Sequence, residues 1–214
     1  MSNRPIAGIL LMERFVVIEG SAIVPGEYHA RISMGPSGSG RERHGFEVVD
    51  GGQPPGADAM RALRRLHAAS VTVVTTVTGQ GFRGVTVNAF SIVSLAPPRV
   101  LVCLGRGSEA CDAVVKTGRY AVSVLSDRQE FLADRFAGRA PLVDSQFTGV
   151  KYRLTVQGMP VLEECLVWFD CKIVASQDWG DHYVLFGEVI EAGYGTGGDP
   201  LLYFDGAYHF LAID

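Results

Sequence analysis

Val71-Thr-Val-Val-Thr-Thr-Val-Thr78, the turn Gly79-Gln80-Gly81, and Phe82-Arg-Gly-Val-Thr-Val-Asn88 decide the fold between them. The first eight residues are all β-branched, which costs side-chain freedom in a helix and suits a pleated sheet. Gly79-Gln80-Gly81 supplies the positive φ angles of a hairpin turn, so Arg83 to Asn88 is expected to return as a second strand. Further along, apolar runs predict strands at Arg99–Leu104, Tyr120–Leu125, Leu166–Gln177, His182–Glu191 and Ala207–Ala212. Three helices interrupt them. Ala57–Ala69 puts Met60, Leu63 and Leu66 on one face, away from Arg61, Arg64 and Arg65, with Asp58 near its start. Ser108–Thr117 stops at Gly118. Ser126-Asp-Arg-Gln129 has the form of a capping box and opens a helix that stops near Gly138. Hairpin-joined strands, few helices and no βαβ alternation predict a mainly β fold, an antiparallel barrel with a few flanking α-helices.

Composition narrows the function classes. The 214 residues carry 19 Lys plus Arg against 23 Asp plus Glu, for a formal charge of -4, with the signs mixed along the chain. No clustered basic footprint exists for nucleic acid. No apolar run reaches the roughly 18 residues that span a bilayer. Ile6–Ile18, the nearest approach to a signal peptide, is interrupted by Glu13 and Arg14 and lacks a basic start and an Ala-x-Ala exit. A cytoplasmic protein is expected, with no membrane and no nucleic-acid partner. Cys103, Cys111, Cys165 and Cys171 form no Cys-x-x-Cys and have no His at a zinc-site interval, so reduced core thiols and no metal are expected.

Residues 35–56 hold seven Gly and three Pro, the composition of a linker or a disordered tail. The chain therefore divides into a Gly/Pro-rich N-terminal extension, 1–56, and a folded domain, 57–214. Ile6–Val24 has apolar residues without a sustained period and is left open between strand, cap and unfolded extension. Met12, Met34 and Met60 stand as alternative starts to an over-extended reading frame.

Gly-x-Gly-x-x-Gly occurs at Gly79/Gly81/Gly84 and at Gly193/Gly195/Gly198. A dinucleotide fingerprint must follow a strand and open a helix. Val85-Thr-Val-Asn88 is helix-poor, and only 16 residues follow Gly198, too few for a βαβ unit of about 30. Both are expected to be hairpin or loop glycines, and no Rossmann domain is present. No Gly-x-Ser-x-Gly elbow or His-Glu-x-x-His pair occurs either.

Three segments remain as candidates. Thr86-Val-Asn88-Ala-Phe-Ser91-Ile-Val-Ser94-Leu95-Ala-Pro97-Pro98 places hydroxyls, an amide and backbone groups at a strand end, parts that hold a polar planar ligand. The plainer alternative is a barrel corner whose hydroxyls satisfy local backbone. Arg106-Gly-Ser108 leads into a helix and offers N–H groups and a cation to a phosphate, or is only a cap. Trp179-Gly180-Asp181-His182-Tyr183 is a hairpin turn with a histidine beside it.

Together these segments resemble the flavin reductase family of FMN-binding split barrels, the reductase components of two-component flavin-dependent monooxygenases. The resemblance runs from about Met60 to Leu211. It covers Gly84-Val-Thr-Val-Asn-Ala-Phe-Ser-Ile-Val-Ser-Leu-Ala-Pro-Pro-Arg-Val-Leu-Val-Cys103, Gly118-Arg-Tyr-Ala-Val-Ser-Val-Leu-Ser126, Arg135-Phe-Ala137, Phe147-Thr-Gly-Val150, Gly180-Asp-His182, Gly187-Glu-Val189 and Pro200-Leu-Leu-Tyr-Phe-Asp-Gly-Ala-Tyr208. It implies a homodimeric split barrel with flavin between subunits. It implies hydride transfer from NADH or NADPH to FMN or FAD, and release of reduced flavin to a partner monooxygenase. By position it implies flavin contacts from Thr86, Val87, Asn88, Ala89, Ser94, Leu95 and Cys103, with Arg106 and Ser108 by the phosphate. Gly180, Asp181 and His182 would meet the nicotinamide nucleotide, with Phe147 nearby; no catalytic residue is required beyond positioning by His182. Arg99, Cys111 and His209 depart from the family's usual residues. The rival is a flavin-binding split barrel without turnover.

Overall fold

Residues 10–12, 15–17, 53–140 and 145–211 are described by a computed structural model of the chain. Residues 1–32 form a unit of their own, in which β1 (Leu10–Met12) pairs antiparallel with β2 (Phe15–Val17). Residues 35–52 of the Gly/Pro-rich segment lie outside the described residues, and the first helix of the larger unit begins at Ala57, directly after Gly56.

In the larger unit α1 (Ala57–Arg65) leads into β3 (Ala69–Ser70), β4 (Thr72–Thr78) and β5 (Gly81–Val87). Then follow β6 (Phe90–Leu95), β7 (Pro98–Gly105), α2 (Glu109–Thr117), β8 (Arg119–Val124), a 3₁₀ turn at Asp127–Gln129 and α3 (Glu130–Phe136). The chain ends in β9 (Tyr152–Leu154), β10 (Pro160–Leu162), β11 (Val167–Trp179), β12 (His182–Tyr194), β13 (Leu201–Phe204) and β14 (Ala207–Phe210). Seven strands make one antiparallel sheet in the order β5-β4-β8-β11-β12-β7-β6. Its two edge strands, β5 and β6, are consecutive in the chain and joined only by Asn88 and Ala89. The three steps from Val87 to Phe90 reach at most about 11 Å, so the sheet must curl until its edges meet at that corner. β5 and β6 share no ladder, which makes this a split barrel, mainly β with few helices.

β4 explains why its sequence does not alternate. Val74 faces the barrel core with Val100, Val102, Leu104, Tyr120, Val122 and Leu185. Val73 faces a second core under α3, with Leu125, Leu132, Phe136 and Leu201. A strand buried on both sides takes β-branched residues throughout, and its threonines bond backbone: Thr72 Oγ1 donates to Val87 O at 2.9 Å and Thr76 Oγ1 to Arg119 O at 2.9 Å.

Several boundaries differ from expectation. α1 stops at Arg65, four residues early, because Ala69–Ser70 pair with β13; none of its residues is buried. β6 is a full edge strand where the sequence reads as a polar strand end, and it turns at Ala96-Pro97 into β7. β9, β10 and β13 carry no sequence signal strong enough to be read in advance. Ser108 caps α2, Gly118 ends it at φ +69, and the 3₁₀ turn before α3 is the expected capping box. All four cysteines are free thiols. The Gly-x-Gly-x-x-Gly matches sit in strands and turns: a methyl at Gly84 would meet the Phe136 ring at 2.6 Å, and one at Gly193 the Trp168 ring at 2.6 Å. Close packing, not phosphate, demands those glycines.

Candidate functional site

The corner that closes the barrel is also where the candidate segments meet. Ala89 O accepts the Cys103 N–H at 3.0 Å, tying the corner to β7. Across β7, Cys103 pairs with Val184 and Gly105 with His182. Asn88–Ala89, Cys103, Gly105 and His182 thus lie on adjacent strands, and the step from Cys103 to Gly105 is about 7 Å. Arg106 and Ser108 follow at once, at the start of α2. The Asn88 carboxamide, half-buried, makes no hydrogen bond to a described residue. It is free to pair with the polar edge of a ring system, and with the backbone of the corner it forms a donor set suited to a flavin. Burial pushes the Cys103 thiol up, so it stays protonated and offers no thiolate chemistry.

Gly180 adopts φ +63 in the two-residue turn between Trp179 and His182, which glycine accepts without strain. His182 Nδ1 donates to Asp181 Oδ1 at 2.6 Å. That bond holds the Asp181 carboxyl below its ordinary range. With Nδ1 committed, Nε2 lies over Gly105, where even a methyl group would be 3.9 Å away. The imidazole is therefore aimed at the β7 end by its own neighbour.

Thr86, Val87 and Asn88 also line a cleft of about 190 Å³ with Arg64, Val71, Ala137, Arg139, Tyr203 and Tyr208. Thr86 spends its hydroxyl on Ala133 O at 2.7 Å. The Tyr208 hydroxyl donates to Asp134 at 3.0 Å, and Arg139 Nε donates to the same carboxylate at 2.8 Å. Burial, then the Asp134 bond, pushes Tyr208 up to about 12. The Arg139 bond holds Asp134 below its usual value. The sequence reading missed this cluster. Its trace was the pair of tyrosines around the Asp205-Gly206 turn, which reads as a hairpin and says nothing of what it faces.

Ser94, Leu95 and Phe147 stand apart, while Ser108 and Arg106 lie by the site with their side chains engaged locally. Ser94 and Leu95 pair with Arg99 and Pro98, about 13 and 17 Å along β7 from Cys103. Phe147 packs among Phe82, Phe136 and Tyr152, with ring centroids 5.4, 5.1 and 5.5 Å away. Its loop is tied to β5 through Gln146, whose amide bonds both N–H and C=O of Gly84. Ser108 accepts the Cys111 N–H at 3.1 Å as the α2 cap. The Arg106 guanidinium bonds Asp178 Oδ1 at 2.8 Å.

Residues 63–212 match the family described as flavin reductase like domain. The chain belongs to this family. The FMN reductase (NADH) RutF of Variovorax paradoxus (strain S110) is 36% identical over 168 residues, covering 77% of this chain and 92% of the relative. Among solved structures, the Streptomyces globisporus C-1027 NADH:FAD oxidoreductase SgcE6 in complex with NAD and FAD fragments is 34% identical. It has a TM-score of 0.69, with 79% of this chain and 99% of that one covered. The styrene monooxygenase flavin reductase SMOB of Pseudomonas putida S12 is 28% identical with a TM-score of 0.65, over 72% of this chain and 98% of that one. Among the described residues of this flavin reductase family member, no helix is long and apolar enough to cross a membrane.

Proposed function

We propose that the chain is an NADH-dependent flavin reductase that reduces FMN or FAD and passes reduced flavin to a separate monooxygenase. The flavin lies along Thr86–Ala89 and Cys103 toward Ser108, and the nicotinamide nucleotide lies at Gly180, Asp181 and His182. The register of β7 carries this reading, since one strand places Cys103 beside the Asn88–Ala89 corner and Gly105 beside His182. The relatives named for NADH, FMN and FAD support it. Hydride passage from nicotinamide C4 to flavin N5 is chemistry the two bound molecules supply. The chain's part is to hold two planar groups face to face, which needs backbone groups, Asn88 and an aimed imidazole, and no acid–base set.

Absorbance at 340 nm, with NADH or NADPH against FMN, FAD and riboflavin, tests it. NADH consumption dependent on added flavin is expected, with NADPH slower. Flavin binding without consumption would leave only the non-catalytic barrel.

The homodimer belongs to the same proposal. β6 is an uncovered edge strand with Ile92, Val93 and Leu95 exposed by 53, 44 and 60%, an apolar edge that favours pairing with a second copy. Such a pairing would also bring Ser94 and Leu95 toward a partner's corner. A cytoplasmic setting suits four free thiols. The folded reductase is 57–214, and removing residues 1–56 should leave the dimer mass by light scattering and the NADH–flavin rate unchanged. A monomer or an inactive protein would place the extension inside the working unit. Loss of coupled turnover alone would make it the partner-recruiting segment.

A further inference from the structure

The family resemblance implies Arg106 beside a flavin phosphate, yet its guanidinium is already engaged. It bonds Asp178 Oδ1 at 2.8 Å and Gly180 O at 3.4 Å, and it lies over the Tyr183 ring at 5.0 Å from the centroid. Its backbone N–H donates to Asp181 O at 3.0 Å. Asp178 and Tyr183 are themselves a cross-strand pair, on either side of the Trp179–His182 turn. One residue therefore grips the hairpin at four points: both flanks, the turn glycine and the residue before His182. No other described side chain bonds Gly180 or Asp181 except His182.

A two-residue turn at the tip of two 13-residue strands is the place where a hairpin frays most readily. His182 can present Nε2 over Gly105 only if that tip is held against the β7 end. A phosphate competing for Arg106 would have to displace a carboxylate and a stacked ring. The Glu109 and Ala110 N–H groups at the start of α2 face an anion without that cost, while the Cys111 N–H is spent on the Ser108 cap.

We propose that Arg106 is a positioning residue for the nicotinamide turn, with Asp178 as its partner, and that it is not the flavin phosphate ligand. This rests on the assignment of Gly180–His182 to the nicotinamide nucleotide. Asp178 separates the two roles, because a carboxylate there helps a clamp and opposes phosphate binding. Arg106 and Asp178 are 43 and 50% exposed, so solvent screens the pair and moderate effects follow.

The test uses the full chain with Arg106→Ala, Arg106→Lys and Asp178→Asn, each checked for an unchanged melting temperature. Hydrogen exchange reads the amides of 179–183, flavin fluorescence quenching gives Kd, and NADH oxidation gives KM. Expected are faster exchange at the turn in Arg106→Ala and Asp178→Asn, and NADH KM raised about fivefold in both. Flavin Kd should stay within about twofold, since neither change removes a flavin contact. Arg106→Lys, which keeps the charge and loses the fork, should lie between. If Asp178→Asn tightens flavin while Arg106→Ala weakens it, Arg106 is the phosphate ligand and the proposal fails. Unchanged exchange in both variants also overturns it. Faster exchange with NADH KM unmoved would keep the clamp and overturn the nicotinamide assignment of the turn.

Discussion

Gly195→Ala should cost the domain about 3 kcal/mol or more and lower its melting temperature by about 10 °C. The stretch after β12 runs directly against the segment that enters β11. Gly195 N–H donates to Leu166 O at 2.8 Å and Gly197 N–H to Cys165 O at 3.0 Å. A methyl at Gly195 would overlap the Cys165 carbonyl oxygen and lie 2.6 Å from its carbonyl carbon and 3.1 Å from its Sγ. Backbone cannot rotate aside as a side chain does. The two segments would have to part, losing both hydrogen bonds and uncovering Cys165, which is fully buried. Gly79→Ala is the control, since the turn there leaves open space around the added methyl; its effect should stay within about 0.5 kcal/mol. Thermal melts of the two variants decide the matter, and a Gly195→Ala protein melting with the wild type would show that the contact is not made.

The second large effect concerns the proposed nicotinamide site. His182→Ala should raise the KM for NADH by about tenfold or more, the worth of one hydrogen bond to a charged group. The flavin Kd and the rate at saturating NADH should change little. The imidazole is prearranged, with Nδ1 spent on Asp181 and Nε2 presented over Gly105, so its loss removes binding without disturbing the barrel. Because it holds a nucleotide and moves no proton in the hydride step, its loss should appear in KM and spare kcat. Steady-state kinetics with NADH varied at fixed flavin, and flavin titration without NADH, separate the two. An unmoved KM, or a loss confined to kcat, would remove His182 from the nucleotide site.

Much of this architecture can be read along the chain, and the reason is local. The run Val71–Thr78, the Gly79-Gln80 and Gly180-Asp181 turns, the Ser108 cap, the Gly118 stop and the Ser126–Gln129 box each report a backbone conformation that a few neighbouring residues set. Short strands report less. In Pro160–Leu162, Val161 packs on Ala121 and Leu162 into the core under α3, partners distant in the chain, and nothing within three residues announces the strand. The end of α1 is similar: Leu66 to Ala69 continue the helical spacing, but β13 takes Ala69–Ser70 as a strand.

The candidate site divides along the same line. Asn88, Ala89, Arg106 and the Gly180–His182 turn are recognisable as sequence, since each belongs to a compact motif. What they face is not. That Cys103 bonds Ala89 and that His182 sits opposite Gly105 depends on the register of β6, β7 and β12. The Arg106 grip on Asp178, 72 residues away, depends on the same register. The Asp134–Arg139–Tyr208 cluster needs α3 and β14 to arrive at one cleft. Hydrophobic pattern and turn chemistry are short-range and specify the elements, the barrel class and the family's motifs. Which polar groups are spent on each other, and which remain for a ligand, is settled where the sheet curls and its edges meet at Asn88–Ala89, because hydrogen bonds form only between groups that the closed barrel brings within about 3 Å.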